Sequence, residues 1–160
     1  MPTSFLTLNS FLLKVNNVHY DFFIAGRWRN QYMVKDVLRA VRAAGFTAYC
    51  FIENEYKGDK IEFAATKDVD VFMQATERLD QSDPFINKVF EKDMAAERAS
   101  DKFILVLPAG ISGNVELGAA YGMGKPCYGV GKPKKTETLY SVFTQIFPST
   151  TELAVWLQNV

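Results

Sequence analysis

The sequence contains few of the residues that metal centres and covalent catalysts use most often. It has two cysteines, Cys50 and Cys127, and one histidine, His19. Both cysteines lie inside apolar runs, and there is no CxxC pair or Cys/His cluster, so we expect reduced thiols, no metal site and no cofactor. Histidine-dependent catalysis would rest on His19 alone, which precedes the first predicted strand and which we interpret as structural.

The sequence also has no excess of charge and no hydrophobic run of membrane-spanning length. Eighteen basic residues balance eighteen acidic ones, which argues against a nucleic-acid polymer or an anionic membrane as partner. The apolar stretch 5–13 is shorter than the ~20 residues that a membrane-spanning helix needs. Asn9 interrupts it and no basic residue precedes it. We therefore interpret 1–19 as an N-terminal extension, not a signal peptide, and expect a cytoplasmic protein.

The residues that are present are typical of one globular α/β domain over 20–160. The chain has 160 residues, of which 48% are hydrophobic and 14% aromatic, enough for a sizeable core. β-prone apolar runs predict strands at 20–25, 46–52, 103–107, 126–130 and 145–147. Helical spacing and capping residues predict helices between Asn30 and Gly45, and over 68–79, 84–100, 115–124 and 151–157.

This alternation of strands and helices predicts a three-layer, flavodoxin-like or Rossmann-like sandwich with a five-stranded parallel sheet. The run 103–107 is the most apolar, as expected for a central strand covered on both faces. Ligands of such sheets bind outside the carboxyl ends of the strands. We therefore expect the functional residues in the loops 26–31, 53–60 and 108–114.

Glu116 is the one charged residue in an otherwise apolar or small-residue helix. Its neighbours include small residues that suit close packing, so we expect much of this helix to be buried. Positions 119 and 120 are alanines, so Glu116 has no basic partner one turn further on. One interpretation is a first-turn glutamate stabilised by the helix dipole, which would also keep it ionised. The other is a functional carboxylate such as a nucleophile.

A second anomaly lies in the helix 84–100. Its predicted apolar stripe, Ile86, Val89 and Phe90, continues to Asp93 and Glu97. A carboxylate on a core-facing stripe needs a partner or a function. The alternative is that the helix emerges into solvent after Phe90.

Three loops supply candidate binding residues. In the first, Gly26 permits a tight turn, Arg27 and Arg29 could bind a phosphate, and Trp28 could stack on a base. The alternative is that both arginines are ordinary solvated residues. There is no G-x-G-x-x-G and no P-loop. From the other two loops we select residues suited to contact a ligand: Tyr56, Gly110, Ser112, Gly113 and Asn114. Ser112 lacks the nucleophile-elbow motif of serine hydrolases.

Taken together, these segments resemble the nucleoside 2-deoxyribosyltransferase superfamily. The resemblance is carried by IAG at 24–26, KDM at 92–94, ASD at 99–101 and, most specifically, PAGISGNVELG at 108–118. The stretch IENEYKG at 52–58 is also similar to a loop of some transferases. The resemblance covers about 20–130 and implies a flavodoxin-like fold and a homo-oligomer whose neighbouring subunit completes the site.

The resemblance implies roles for the two anomalous carboxylates. Glu116 would attack the anomeric carbon of a nucleoside or nucleoside monophosphate and form a glycosyl-enzyme, while Asp93 would assist departure of the base. A base acceptor would give transfer, and water would give hydrolysis. An arginine like Arg27 occurs in relatives that hydrolyse nucleoside monophosphates. This chain has Gly110 where many transferases carry an Asp and nucleotide-hydrolysing relatives a Ser.

Two rival functions remain open at this stage. One is a noncatalytic nucleotide-sensing domain that has the same fold and crevice but no turnover. The other is a protein-interaction domain of the related TIR-like type. Release of free base supports the enzyme, saturable nucleotide binding without release supports the sensor, and neither is expected of the interaction domain.

Overall fold

The strands form one parallel sheet. The computed structural model describes residues 18–63 and 67–160. Within them the strands are β1 (Tyr20–Ala25), β2 (Ala48–Cys50), β3 (Ser100–Val106), β4 (Cys127–Val130) and β5 (Gln145–Phe147), in the order β2-β1-β3-β4-β5. Ala25 pairs with Leu105, and Val106 with Val130. The predicted five-stranded parallel sheet is confirmed, and its strand order is that of flavodoxin-like folds.

Five helices of the described residues cover this sheet and its edges. They are α1 (Gln31–Ala43), α2 (Val69–Glu77), α3 (Pro84–Arg98), α4 (Ile111–Gly122) and α5 (Thr150–Leu157). Short 3-10 turns lie at Trp28–Asn30, Phe51–Glu53 and Thr138–Val142. None of the described helices is long and apolar enough to cross a lipid bilayer.

The sequence explains where several helices begin and end. The side chain of Asp83 accepts a hydrogen bond from the Phe85 N–H at 2.9 Å, and Pro84 follows as the first residue of α3. Helix α1 ends at Ala43, and Gly45 follows its C-cap residue with a φ of +90°, which suits glycine. Asn30 precedes α1 as predicted, but its side chain makes no capping hydrogen bond.

Alternating strand residues divide the core into two layers. On one face Phe22, Ile24, Ile104 and Val106 pack against α1 and α5. On the other face the alternate residues of β1 and β3 pack against α3 and α4, and this second buried cluster also contains Ala96, Leu117 and Ala120. Because α1 and α4 lie on opposite faces, the loops that follow β1 and β3 leave the sheet in opposite directions.

The bounds predicted for β2 and α4 are wrong. Strand β2 covers 48–50, not 46–52, because the chain turns into the 3-10 turn at Phe51. Helix α4 begins at Ile111, not at residue 115, so 112–114 are helical. Their small polar residues are typical of a loop, but Gly110 O accepts hydrogen bonds from both the main chain and the side chain of Asn114 and so starts the helix.

Two predictions about burial are also wrong. Helix α4 is not mostly buried, since Ile111, Val115 and Tyr121 on it are 87%, 66% and 58% exposed. Phe90 is exposed although it was assigned to the buried stripe of α3, whereas Glu97 on the same helix is fully buried. The predicted N-terminal extension, 1–19, lies outside the described residues except for Val18 and His19.

Candidate active site

The candidate site is the crevice at the carboxyl ends of β1 and β3. Both strands lie in the middle of the sheet, and the chain leaves them towards opposite faces. A crevice of this kind is the usual ligand site of an open parallel sheet. The three loops that were predicted to be functional follow β1, β2 and β3, which are neighbours in the sheet.

Glycines bring the loops after β1 and β3 close together. A Cβ atom on Gly113 would lie 3.8 Å from the Gly26 carbonyl oxygen and 3.0 Å from Leu105 Cδ1. A Cβ atom on Gly110 would lie 3.5 Å from Arg27 Cγ. The side chain of Arg27 therefore runs along the main chain that opens α4, and the structure brings these predicted residues together.

The two arginines of the first loop have different surroundings. Arg29 donates to Asp70 Oδ1 at 2.9 Å and lies 3.8 Å from Glu77 Oε1, so α2 already neutralises its charge. The guanidinium of Arg27 has no hydrogen bond or ion pair with any of the described residues. Arg27 is thus the arginine available to an anion at the crevice.

Trp28 belongs to an aromatic cluster. Its ring centroid lies 4.6 Å from that of Phe63, 5.1 Å from that of Phe72 and 5.3 Å from that of Phe51. These contacts attach α2 to the first loop. They cover much of the indole, so Trp28 is less available to stack on a base than its place in the loop indicated.

Asp93 is held by a hydrogen-bonded chain from β2. Tyr49 OH donates to Asp93 Oδ1 at 2.6 Å, and Asn54 Nδ2 donates to Tyr49 OH at 2.7 Å. Asn54 Nδ2 is also 3.4 Å from Tyr56 OH. Tyr49 and Asn54 are buried, so this chain fixes the position of the carboxyl group.

Opposing influences act on the proton of Asp93. Burial raises the pKa of the Asp93 carboxyl above its ordinary value, and the hydrogen bond from Tyr49 and the charge of Lys92 oppose this rise. Burial and the negative charge of Asp93 also raise the pKa of Tyr56. Tyr56 stays a neutral phenol beside the carboxyl, with the Lys92 ammonium 5.5 Å from its ring centroid.

Glu116 lies in the second turn of α4, half-buried on the side towards Asp93. Burial, reinforced by the charges of Asp93 and Glu97, raises the pKa of Glu116 to about 8. The predicted first-turn interpretation is wrong because α4 begins five residues earlier, and the helix dipole acts mainly within the first turn. The expectation that the dipole keeps Glu116 ionised is therefore also wrong, since burial dominates.

The remaining predicted residues form the first turn of α4. Ser112 is exposed. Asn114 donates to the Gly110 carbonyl oxygen at 2.8 Å and accepts from Tyr140 OH at 3.0 Å. The main-chain N–H groups of this turn, before the one that bonds to Gly110 O, have no partner within the helix. They lie beside the Arg27 side chain, in a place suited to an anion.

Sequence reasoning missed Tyr49, Asn54 and Tyr140. The available signals were slight: a tyrosine within an apolar strand, an asparagine just after that strand, and a tyrosine 26 residues beyond the asparagine that it contacts. The partners are distant in sequence, and single-sequence patterns report only nearby spacing.

The one cluster of metal-ligating side chains found in the described residues lies elsewhere. Ligand atoms of His19, Asp21 and Asp101 are within 4.8 Å of one another at the amino ends of β1 and β3. His19 Nε2 is 3.0 Å from Asp101 Oδ2, and both side chains are exposed. His19 is therefore at the edge opposite to Ser112 and cannot act as its base.

Comparison with known proteins supports the architecture. No protein-family model matches the chain, and no curated protein matches it. Among solved structures it is similar to a 2-deoxyribosyltransferase from the psychrotolerant bacterium Bacillus psychrosaccharolyticus. The TM-score is 0.62 at 17% sequence identity, over 83% of this chain and 89% of that chain. That enzyme is described as a biocatalyst for the synthesis of nucleosides. The fold expected from the resemblance is confirmed: this chain has the 2-deoxyribosyltransferase-like fold.

Proposed function

We propose that the protein cleaves the N-glycosidic bond of a nucleoside or nucleoside monophosphate and transfers the sugar to a base or to water. Glu116 is the nucleophile and Asp93 is the general acid. The observation that supports the proposal is the electrostatic coupling of these two carboxyls on α3 and α4, where burial raises the pKa of each.

In the first step a Glu116 carboxylate oxygen attacks C1′ of the sugar. The bond from C1′ to the base nitrogen breaks, its electron pair goes to the base, and the base takes the proton of the Asp93 carboxylic acid. Retaining glycosidases divide the work between two carboxyls in the same way. In the reactive state Asp93 carries a proton and Glu116 is ionised. A state with one proton on the two carboxyls is favoured because two nearby carboxyls resist ionising together.

In the second step the acceptor displaces Glu116 from C1′. A nitrogen of a second base, or a water oxygen, forms the new bond to C1′ as the glycosyl ester bond breaks. The acceptor's proton returns to the Asp93 carboxylate, and Glu116 leaves as a carboxylate. The hydrogen bond from Tyr49 supports the ionised state of Asp93 that this step requires.

The direct test is base release. The native protein is incubated with nucleosides and nucleoside 5′-monophosphates, with and without an acceptor base, and free base and new nucleoside are separated by chromatography. Intact-protein mass spectrometry detects the sugar attached to Glu116. We expect Glu116→Ala to abolish turnover and the mass increase while ligand binding persists. Near-native rates in Glu116→Ala would refute the mechanism.

We further propose a 5′-phosphate on the substrate, bound by Arg27 and the first-turn N–H groups of α4. The Arg27 side chain lies beside Gly110, and its guanidinium has no partner among residues 18–63 and 67–160, which supports this proposal. Tyr56, rather than Trp28, lies near the two carboxyls and is suited to cover the base or sugar. Ser112, Gly113 and Asn114 line the phosphate end; Gly113 lets the two loops approach each other, and Gly26 leaves room for Val34 of α1.

The two arginines provide a matched test of the phosphate. Affinity for a nucleoside and for its 5′-monophosphate is measured by calorimetry in the native protein, Arg27→Ala and Arg29→Ala. We expect the monophosphate to bind more tightly by about 1.5–3 kcal/mol, an advantage lost in Arg27→Ala and kept in Arg29→Ala. Equal affinity for the two ligands would refute the phosphate contact and leave free nucleosides as the proposed substrates.

One feature favours the nucleotide-sensing alternative. Gly110 offers no side chain to read a base, and the Arg27 side chain lies where a Cβ atom at position 110 would point. Saturable binding of nucleotides in a thermal-shift assay, without base release even when an acceptor base is present, would favour the sensor over the enzyme.

We also propose that the protein is a homo-oligomer. Large apolar side chains on the outer face of α4, Ile111, Val115 and Tyr121, are exposed, and such groups often mark interfaces. Sedimentation velocity of the native protein and of Val115→Asp tests this. A monomer at all concentrations would contradict the proposal.

A further inference from the structure

Glu97 is a buried carboxyl that the proposed mechanism does not use. It lies on α3 next to Ala96, which belongs to the core cluster shared with α4, and its side chain is 0% exposed. No donor among the described residues forms a hydrogen bond with either carboxyl oxygen. An unpaired carboxylate in such a place is costly, and an apolar residue would fill the position without that cost.

The nearest cation does not pair with Glu97. The Lys125 ammonium donates to the main-chain carbonyl oxygens of Ser100 and, at 3.3 Å, of Arg98. Its charge lowers the pKa of Glu97, but it forms no hydrogen bond with either oxygen of that carboxyl. Burial is the largest influence and raises the pKa of Glu97 to about 7, so its carboxyl changes charge near neutral pH.

Glu97 is electrostatically coupled to the candidate catalytic residues, Asp93 and Glu116. Asp93 is one helical turn away on the same face of α3, a separation of about 6 Å between Cβ atoms. Each of Asp93 and Glu97 contributes to the raised pKa of Glu116 on α4. Among the described residues, the charged and titratable groups coupled to these carboxyls from the packed elements are Tyr49, Cys50, Tyr56, Lys92, Arg98, Lys125 and Cys127.

We propose that Glu97 is a positioning residue of the candidate site: with Asp93 and Glu116 it forms a set of three electrostatically coupled carboxyls on α3 and α4, and its own charge sets the protonation of Glu116. The effect on catalysis rests on the proposed function, in which Glu116 is the nucleophile. When Glu97 is neutral, Glu116 ionises more readily and is available as nucleophile. When Glu97 is charged, Glu116 retains its proton to higher pH.

Direct titration tests the coupling without any need for activity. The protein is labelled with ¹³C at glutamate side-chain carboxyls, and the Glu116 and Glu97 signals are assigned from Glu116→Gln and Glu97→Gln. We expect the pKa of Glu116 to fall by roughly half to one pH unit in Glu97→Gln, because a neighbouring negative charge is removed. The control Glu91→Gln makes the same change on the exposed side of α3 and leaves Glu116 unchanged.

Two results would overturn the proposal. One is a Glu116 titration in Glu97→Gln that overlays the native curve. The other comes from the native protein alone, so it does not depend on the variant folding: a Glu97 signal that titrates below pH 5, as an ordinary carboxylate would.

Kinetics separate a positioning role from a merely structural one. In Glu97→Gln the limb on which kcat/KM for base release rises with pH is expected to move to lower pH by the same shift as the NMR titration. A uniform loss of rate with an unmoved limb would contradict the proposal. If no variant or native protein releases base, the proposed function fails, while the titration still decides whether Glu97 controls Glu116.

Discussion

The amino and carboxyl ends of β1 and β3 carry acidic residues in opposite surroundings. At the amino ends, Asp101 pairs with His19, and Asp21 accepts hydrogen bonds from the Thr47 main chain and hydroxyl, both at 2.7 Å. Those bonds lower the pKa of Asp21. In the crevice, burial raises the pKa of Asp93 and Glu116. Hydrogen-bonded carboxyls at the surface hold an edge of the sheet in place, whereas buried carboxyls with raised pKa values are suited to acid–base and covalent chemistry.

The largest expected contrast is between Asp93→Asn and Asp101→Asn. Each replaces a carboxylate by an amide of the same size. We expect Asp93→Asn to lower kcat/KM for base release by about 100- to 10,000-fold, since the general acid is lost. Asp101→Asn lies at the other end of the strands and leaves the rate within about twofold. Steady-state kinetics of both variants with the same set of substrates measures this. Similar losses of kcat/KM in the two variants would contradict a catalytic role confined to the crevice.

Much of this division was predictable from local sequence. The apolar run 103–107 and the Asp83-Pro84 start of α3 placed β3 and α3, and the absence of a basic partner singled out Glu116. The strands were found because alternation and apolar runs are short-range signals. Strand order then follows from the fold class, which places the loops after β1 and β3 side by side.

The remainder depends on contacts between distant residues. Nothing near Arg29 in the sequence indicates that Asp70 neutralises it while Arg27 has no partner in the described part of the chain. The start of α4 was misplaced because Ser112 and Gly113 have loop-like composition. The identity of the residue beneath Asp93, a tyrosine from β2, follows only from the packing of α3 on the sheet.

A second contrast is the pH dependence of stability. The pKa of Glu116 is raised from about 4.5 to about 8, so between these values the folded protein binds more protons than the unfolded chain. The free energy of unfolding should therefore fall as pH rises from 5 to 8, by roughly 2–4 kcal/mol for Glu116 and Glu97 together. Urea denaturation at several pH values measures this.

The variants assign the pH dependence to the two regions. Glu97→Gln should reduce the loss of stability between pH 5 and 8. Asp21 has a lowered pKa, so its stabilising contribution is present above its ordinary pKa and is lost as pH falls through the lowered value. Asp21→Asn should change only the acid side of the profile. A free energy of unfolding that rises from pH 5 to 8 in the native protein would contradict the raised pKa values of Glu116 and Glu97.

A third contrast compares two glycines, one at the crevice and one on the exposed face of α4. A Cβ atom on Gly26 would lie 2.7 Å from Val34 Cγ2, whereas one on Gly118 would have no neighbour within 4 Å. We expect Gly26→Ala to destabilise by about 1–3 kcal/mol through overpacking. Gly118→Ala should stabilise by roughly 0.5–1 kcal/mol in a helix interior. Thermal denaturation of both variants checks the signs, and equal effects would refute the close approach at Gly26.

A fourth prediction concerns the tyrosine behind Asp93. Tyr49→Phe removes the hydrogen bond that opposes the effect of burial, so the pKa of Asp93 should rise further. We expect about a tenfold loss of kcat/KM, and the limb on which the rate falls at high pH should move upward. Tyr128→Phe, at a buried tyrosine of β4 on the opposite face of the sheet, is the matched control. Equal rate losses in the two variants would indicate a general packing effect instead.

The smallest expected effect is that of His19→Ala at the amino ends. His19 Nε2 lies 3.0 Å from Asp101 Oδ2, but the two side chains are 62% and 52% exposed. Solvent screens such a pair, and holding both side chains in one geometry costs entropy, so its contribution is about 0–1 kcal/mol. We therefore expect unfolding by urea to change by no more than that amount, and base release to be unaffected. A loss of turnover in His19→Ala, with the fold intact, would move the catalytic centre away from the crevice and would give the cluster of His19, Asp21 and Asp101 a role in the chemistry.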